Sequence, residues 1–343
     1  MNRPIDLRSD TVTRPTVEMR QAIANAEVDD DVIDVDPTMD RLHHRIAEVL
    51  GKEAAIFMPS GTMTNQIAIR VHCAPGDEFI CDSNCHIFNY EQGAFAQLSG
   101  VVAKPIECQQ GTITTDMLHD AIRPDNEHFV RTRLLSLENT HNRGGGNVLP
   151  FDKVQSVCDW ASENGLRKHL DGARLFNAVV ASGISASRWC ESFDTVSVCF
   201  SKGLGAPVGS ILAGPSELIA TARRHRKLFG GGMRQGGIIA AAALFALDNH
   251  VDRLAEDHAN AKILAEAFAN AKGLSLPYGV PETNMLFADV DPSIGDAKLV
   301  ADKLRENGIL VLAVAPQRIR AVTHLDVTEA DMHTASRAIQ QAF

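Results

Sequence analysis

The chain has 343 residues, 45% hydrophobic and 22% charged, with a formal net charge of −10, a profile that fits a globular protein long enough for two domains. The acidic balance argues against nonspecific nucleic-acid binding, and no window approaches the ~20 consecutive apolar residues a spanning helix needs, so no membrane partner is expected. The amino terminus, Met1-Asn-Arg-Pro-Ile-Asp6, lacks the apolar stretch of a secretory signal, and the 7 cysteines are scattered without paired spacing, which predicts reduced thiols in the cytoplasm.

In chain order, residues 17–26 and 38–51 read as helices, the second closing at Gly51 in the position of a C-terminal cap. Residues 54–58 form a short apolar strand, followed by Pro59-Ser60-Gly61-Thr62 and a helix-like run over 66–73. Strand, small polar turn and helix start supply free amides and a helix dipole, the ingredients of an anion cradle. Seen in isolation, the same residues read more simply as a turn with an N-cap. Cys81, Cys85 and His86 stand close together, but no second pair lies at zinc spacing, so no metal is expected.

Strand-like runs follow at 78–81, 101–106, 133–137, 167–170 and 195–200, mostly separated by helix-length segments. That alternation predicts an α/β fold with a mostly parallel sheet flanked by helices. The run 208–213 reads as one more strand, folded back antiparallel after a glycine-rich turn. Basic residues cluster at Arg223-Arg-His-Arg-Lys227, as a solvated helix face or as an anion site. A pair of helices is expected over 236–271. Beyond Gly273 the pattern changes to strands at 284–290, 309–313 and 319–322 with amphipathic helices at 296–306 and 328–342. The expected division is a large domain over 1–249 and a smaller α+β domain over 250–343.

Two segments carry the chemistry. In Asp194-Thr-Val-Ser-Val-Cys-Phe-Ser-Lys202-Gly a lysine stands where an apolar strand empties into a glycine turn, and Lys168-His-Leu-Asp171-Gly-Ala-Arg174 repeats that grammar about 30 residues upstream, roughly one βαβ unit away. Ligands of open α/β sheets bind at that strand edge. A desolvated lysine is a nucleophile toward carbonyls. Asp171 and Arg174 form either a structural ion pair or part of the site. Taken together, a phosphate cradle, an acid able to hold a ring nitrogen protonated and a nucleophilic lysine are the parts of a pyridoxal phosphate site.

The motifs resemble those of the low-specificity L-threonine aldolases, fold-type I pyridoxal 5'-phosphate enzymes of the β-eliminating lyase clan. The matching segments are Asp6-Leu-Arg-Ser-Asp-Thr-Val-Thr13, Pro59-Ser-Gly-Thr62, Leu137-Glu-Asn-Thr-His-Asn142, Leu170-Asp-Gly-Ala-Arg-Leu-Phe-Asn-Ala178, Ser201-Lys-Gly-Leu-Gly-Ala-Pro-Val-Gly-Ser210, Gly230-Gly-Gly-Met-Arg-Gln235 and Val322-Thr-His-Leu-Asp326. They run in order through nearly the whole chain. The resemblance implies that Lys202 links covalently to the cofactor, that Asp171 bonds its ring nitrogen, and that His86 stacks on its ring. It implies phosphate binding by Ser60, Gly61 and Thr62, with Arg234 arriving from a neighbouring subunit. It also implies that Ser9, Arg174 and Arg320 bind the substrate carboxylate, an arginine fork being suited to two parallel N–H bonds. Both His86 and His141 become candidates for proton transfer; which of them, or a water, takes the β-hydroxyl proton is open.

The implied reaction is retro-aldol cleavage of L-threonine, L-allo-threonine or a related β-hydroxy-α-amino acid to glycine and an aldehyde, in a homo-oligomer with shared sites, a dimer at least and a tetramer by the family pattern. β-Elimination and transamination could use the same lysine and aspartate, and a catalytically idle scaffold is the non-enzyme alternative. One departure stands out. The family pattern Gly-Asp-Asp-x-Tyr-Gly is Asp29-Asp-Asp-Val-Ile33-Asp34 here, which predicts a loop less tightly docked and an altered substrate preference. The Gly144-Gly-Gly146 run reads as a loop insertion.

Overall fold

Apolar runs too short for helices and bounded by turns become strands buried on both faces. The computed structural model describes residues 3–343. In chain order its strands are β1 (Ile5–Asp6), β2 (Ala54–Met58), β3 (Asp77–Asp82), β4 (Val102–Ile106), β5 (Arg131–Glu138), β6 (Arg167–Gly172), β7 (Thr195–Cys199), β8 (Ser210–Gly214), β9 (Leu274–Ser275), β10 (Met285–Val290), β11 (Ile309–Leu310), β12 (Leu312–Ala315) and β13 (Arg318–Val322). The central sheet has seven strands in the order β2-β8-β7-β6-β5-β3-β4. Strands β7, β6, β5, β3 and β4 are parallel, and β8 runs antiparallel to both β7 and β2. The fold-back expected after the glycine turn is therefore present, beginning at Ser210. Because β8 opposes both neighbours, β2 runs in the direction of β7. The carboxyl ends of β2, β3, β5, β6 and β7 consequently meet at one edge of the sheet.

Helices cover both faces. Helix Pro37–Leu50 begins on Asp36, whose carboxylate accepts from the Thr38 and Met39 amides, and stops at Gly51 with φ of 63°, the left-handed position that favours glycine. The expected helix pair over 236–271 is present as Gly237–Asn249 and Leu254–Asn270. The basic cluster lies on helix Ser216–Leu228. It is more than a solvated face, because buried Arg226 donates to the Phe57 carbonyl at 2.9 Å and to Asp31 at 2.8 Å.

Beyond the central sheet, β12-β13-β10-β9 make a four-stranded antiparallel sheet. The run over 309–313, expected as one strand, is two. β11 pairs in parallel with β1 at the amino terminus, while β12 joins β13. Buried Val311 separates them. One apolar cluster includes Met19, Phe57, Trp189 and Leu254 under the large sheet. Another gathers Leu264, Phe268, Leu286, Ile319 and Ile339, with Leu7 from the amino-terminal arm. Among the described residues no helix is long and apolar enough to cross a membrane.

Candidate active site

The strand ends at the sheet edge surround a cavity of about 430 Å³ whose wall includes Ser60, Gly61, Thr62, His86, Asp171, Lys202 and Arg320. Ser9 of the arm and Arg174, just past β6, also face it. The residues named from the sequence thus converge from segments as far apart as positions 9 and 320. Two do not join them.

Ser60 caps helix Gly61–His72, its hydroxyl oxygen accepting from the Met63 amide at 3.2 Å. The first amides of that helix have no helical partner, and with the helix dipole they make an anion seat. A Cβ on Gly61 would come within 2.7 Å of the Cys199 Sγ at the end of β7. Glycine therefore lets the helix start sit directly against the strand leading to Lys202.

Asp171 ends β6 in full burial, yet its carboxyl is held below the usual range. Burial alone would raise it, but the charges of His86 and Lys202 and the Asn65 amide outweigh that. Asn65 Nδ2 donates to Oδ2 at 2.8 Å and the Ala173 amide to Oδ1 at 3.0 Å. Asn65 is itself fully committed. Its Nδ2 also donates to Glu91 at 2.9 Å, and its Oδ1 takes the Ser197 hydroxyl at 2.9 Å and lies 3.2 Å from His169 Nε2. An ionised carboxylate in a dry, rigid frame suits a protonated heteroaromatic nitrogen. Lys202 sits on the turn after β7, its carbonyl accepting from the Thr13 hydroxyl at 3.1 Å. Its amine makes no hydrogen bond or ion pair among the described residues.

His86 opens a short helix, its backbone amide donating to Glu138 at 2.6 Å and its Nδ1 lying 2.9 Å from Glu91. Burial opposes its charge, but Glu91 and Asp171 more than compensate and raise its basicity. The two arginines differ. Arg174 is bidentate on buried Asp10, both contacts at 2.7 Å. Despite burial, Arg174 holds that carboxyl far below its ordinary range. Among the described residues Arg320 has no carboxylate partner: it donates to the Asn142 Oδ1 at 3.0 Å and the Arg8 carbonyl at 3.2 Å, and its buried Nε is left without a partner there. Burial, with the neighbouring Arg174 and Arg143 charges, pushes it down to about 10. A partly buried guanidinium with an open N–H group is a carboxylate receptor.

His141 is not on this wall. Its Nδ1 accepts the Gly144 amide at 2.9 Å, its Nε2 lies 2.9 Å from the Asp82 carboxylate, and the ring is 1% exposed. Both nitrogens face polar groups away from this cavity, so its place among the reacting groups is not supported by the geometry. The Gly144–Gly146 run is the turn that closes around it. Arg234 is also away from this cavity, paired with Asp30 at 3.1 Å on the chain's surface.

The atypical loop differs from its expectation. Asp31 is buried between Arg226 at 2.8 Å and Arg223 at 3.6 Å, and its amide donates to the Arg234 carbonyl at 2.9 Å. The loop is docked rather than loosened, because Arg223 and Arg226 compensate Asp31 and Arg234 pairs with Asp30, two of its four aspartates. Ile33 is 81% exposed and does not line this chain's cavity. Sequence reading passed over Asn65, Glu91, Asp10 and Glu138. Asp10 and Glu138 lay within quoted motifs without a stated task, while Asn65 and Glu91 carried no local signal.

The cavity fits pyridoxal phosphate on its own geometry: amides for a phosphate, an ionised buried carboxylate for a ring nitrogen, and an uncommitted amine. The family model for beta-eliminating lyases matches residues 6–293. The chain is 46% identical to low-specificity L-threonine aldolase 1 of Arabidopsis thaliana, covering 99% of this chain and 96% of that protein. It is 44% identical to the low specificity L-threonine aldolase of Escherichia coli K12, over 94% and 95%. In three dimensions it resembles Leishmania major threonine aldolase, with a TM-score of 0.83, 22% identity and coverage of 98% and 99%. The fold extends to Sphingomonas wittichii serine palmitoyltransferase, with a TM-score of 0.77 at 16% identity over 99% and 87%. The chain belongs to the beta-eliminating lyase family, the pyridoxal-phosphate-dependent enzymes of fold type I that include the threonine aldolases.

Proposed function

We propose that this enzyme cleaves L-threonine, L-allo-threonine and related β-hydroxy-α-amino acids to glycine and an aldehyde. The observation that carries this reading is Arg320, a partly buried guanidinium whose buried Nε has no partner among the described residues, on the same cavity as the uncommitted amine of Lys202 and the ionised Asp171. Arg320, with the Ser9 hydroxyl beside it, anchors the substrate carboxylate. Arg174, closed on Asp10, fixes the arm that delivers Ser9 and adds positive potential. The Ser60–Thr62 turn holds the cofactor phosphate, and Lys202 is the residue that bonds the cofactor. When bound, pyridoxal phosphate supplies an electron sink conjugated to the substrate Cα, which lets the Cα–Cβ bond break heterolytically. Asp171 sustains that sink by keeping a proton on the ring nitrogen. His86 would stack on the bound cofactor, and its Nε2, which has no partner among the described residues, would take the β-hydroxyl proton. His141 braces the turn leading to Asn142, which in turn holds Arg320.

The test is incubation of purified protein with each threonine diastereomer, with and without added cofactor. Acetaldehyde and glycine are expected. Ammonia with 2-oxobutanoate would signify β-elimination, demand for an oxo acid would signify transamination, and no product at all would signify an idle scaffold.

Three coarser features complete the reading. The separate apolar cluster over 264–339 supports a smaller domain from about residue 250. Free cysteines, most of them buried, support a cytoplasmic setting. Among the described residues the cavity's arginines are Arg174, closed on Asp10, and Arg320, which supports a dimer, or a dimer of dimers, with Arg234 reaching a neighbour's phosphate. Inactive Lys202→Ala and Arg234→Ala chains, mixed, should then recover activity in hybrid sites. A fully active monomer would defeat the shared site.

A further inference from the structure

We propose that Glu91 is a positioning residue that makes His86 a base at Nε2 and, through Asn65, ties that histidine to the acid under the cofactor ring. It rests on the reading of the cavity given above.

Glu91 has a completely buried side chain. A lone carboxylate there would be costly, so its partners show what it is for. Its Oε1 lies 2.9 Å from His86 Nδ1 and accepts Asn65 Nδ2 at 2.9 Å, while Oε2 accepts Gln66 Nε2 at 2.5 Å. An ionised carboxylate only accepts, so His86 must present N–H at Nδ1. Neutral His86 then carries its lone pair at Nε2, the nitrogen with no partner among the described residues. The same contact stabilises the imidazolium formed when Nε2 takes a proton. That is the logic of a carboxylate orienting a general base, reached here from a residue five positions along the chain.

Asn65 extends the device. Its one amide nitrogen donates both to Glu91 and to Asp171, at 2.9 and 2.8 Å. The orienting carboxylate and the ring-nitrogen carboxylate are therefore set by a single side chain. This also disposes of a competing use. His86, Glu91 and Asp171 present ligand atoms within 4.8 Å of one another, close enough for a cation. The Asn65 N–H groups already fill the position between the two carboxylates where such an ion would sit.

The groups acting on the His86 charge are Glu91 and Asp171, which favour it, and Lys202, which opposes it. Glu138 faces its backbone amide, and the neutral Tyr90 ring lies 5.7 Å away. Of these only Glu91 touches the imidazole nitrogen, so its removal should move the histidine selectively.

The experiment uses holoenzyme labelled with ¹⁵N and ¹³C in histidine, the His86 signals being those lost in His86→Asn. In the wild type the neutral ring should be the Nδ1–H tautomer. In Glu91→Gln the His86 midpoint should fall by about one pH unit or more, and the acid limb of kcat/KM should move down with it while the plateau drops about tenfold. A purely structural role would lower the melting temperature and cofactor retention without moving either midpoint. An unmoved midpoint in folded Glu91→Gln overturns the proposal. If that variant does not fold, the wild-type tautomer decides alone, and an Nε2–H ring overturns it. Absence of acetaldehyde would instead overturn the activity while leaving the tautomer result standing.

Discussion

Two regions of the cavity solve the burial of charge in opposite ways. On the floor the carboxylates are closed in: Asn65 uses both its donors and its acceptor oxygen, bridging Asp171, which is held ionised, and Glu91. At the Arg174 corner the same closure appears as a two-point ion pair with Asp10. The Arg320 wall is left open, with a buried Nε that no described residue satisfies. Closed groups set geometry and hold charge in place. Open groups forgo stability and keep binding capacity for a ligand that brings the missing charge. The open set, Arg320 and Lys202, is where chemistry enters.

The sharpest way to break this contrast is Lys202→Ala, which removes an open group with no structural partner. Turnover should fall by at least about a thousandfold, and the cofactor's lysine-linked absorbance should vanish, with unfolding in urea barely changed. A borohydride-reducible link surviving in that variant would assign the bond to another lysine. Next comes the closed pair. Asp10→Asn leaves the Arg174 charge buried without its counter-ion, so the unfolding free energy should drop by about 3–5 kcal/mol. Arg320→Gln should do the reverse, costing about 2–5 kcal/mol of amino-acid binding while leaving chemical stability level or higher. Equal effects of the two substitutions on denaturation midpoints would erase the distinction.

A milder probe is acid. Burial holds His43 and His72 down to about 3 and His169 to about 4. Between those values and the ordinary 6.5 the unfolded chain binds protons that the folded chain refuses, so stability must fall as pH drops from about 6.5 toward 4. His43 shows why: its Nε2 accepts the Phe57 amide at 2.9 Å and needs a free lone pair. A melting temperature flat across that window would contradict the burial of these rings. The smallest effect belongs to Ile33→Tyr, alone or with Asp34→Gly. The side chain is solvated in this chain, so stability should shift by no more than about 0.5 kcal/mol. A change in the diastereomer ratio would then place the loop at a neighbour's cavity.

What the sequence discloses depends on how local the cause is. Lys202, Asp171 and Ser60 were legible because a strand running into a polar or glycine turn is written in consecutive residues. Ser9 and Arg320 came only through motif resemblance, since their meeting joins positions hundreds of residues apart, and Arg174 was visible beside Asp171 while its actual partner Asp10 was not. Nothing marks Asn65 or Glu91, because an asparagine inside a helix and a glutamate in a loop are ordinary until burial brings them together. The run 309–313 has strand character throughout, but apolar pattern does not say that two sheets will share it. The loop at 29–34 misled for a related reason: the arginines that dock it lie near 230.

The pairing of β1 with β11 has a consequence for the order in which the enzyme is made. The Ile5 amide bonds the Gly308 carbonyl at 2.9 Å, and the Leu7 carbonyl receives the Val322 amide at 2.8 Å. Ser9 and Asp10 are synthesised well before β11 and β13, the strands that seat the arm carrying them. The large sheet can form during synthesis, with Arg174 already in place and its counter-ion still adrift. The amino-terminal arm can dock only after β11 and β13 have been made, so the pocket becomes competent for amino acids later than the large sheet.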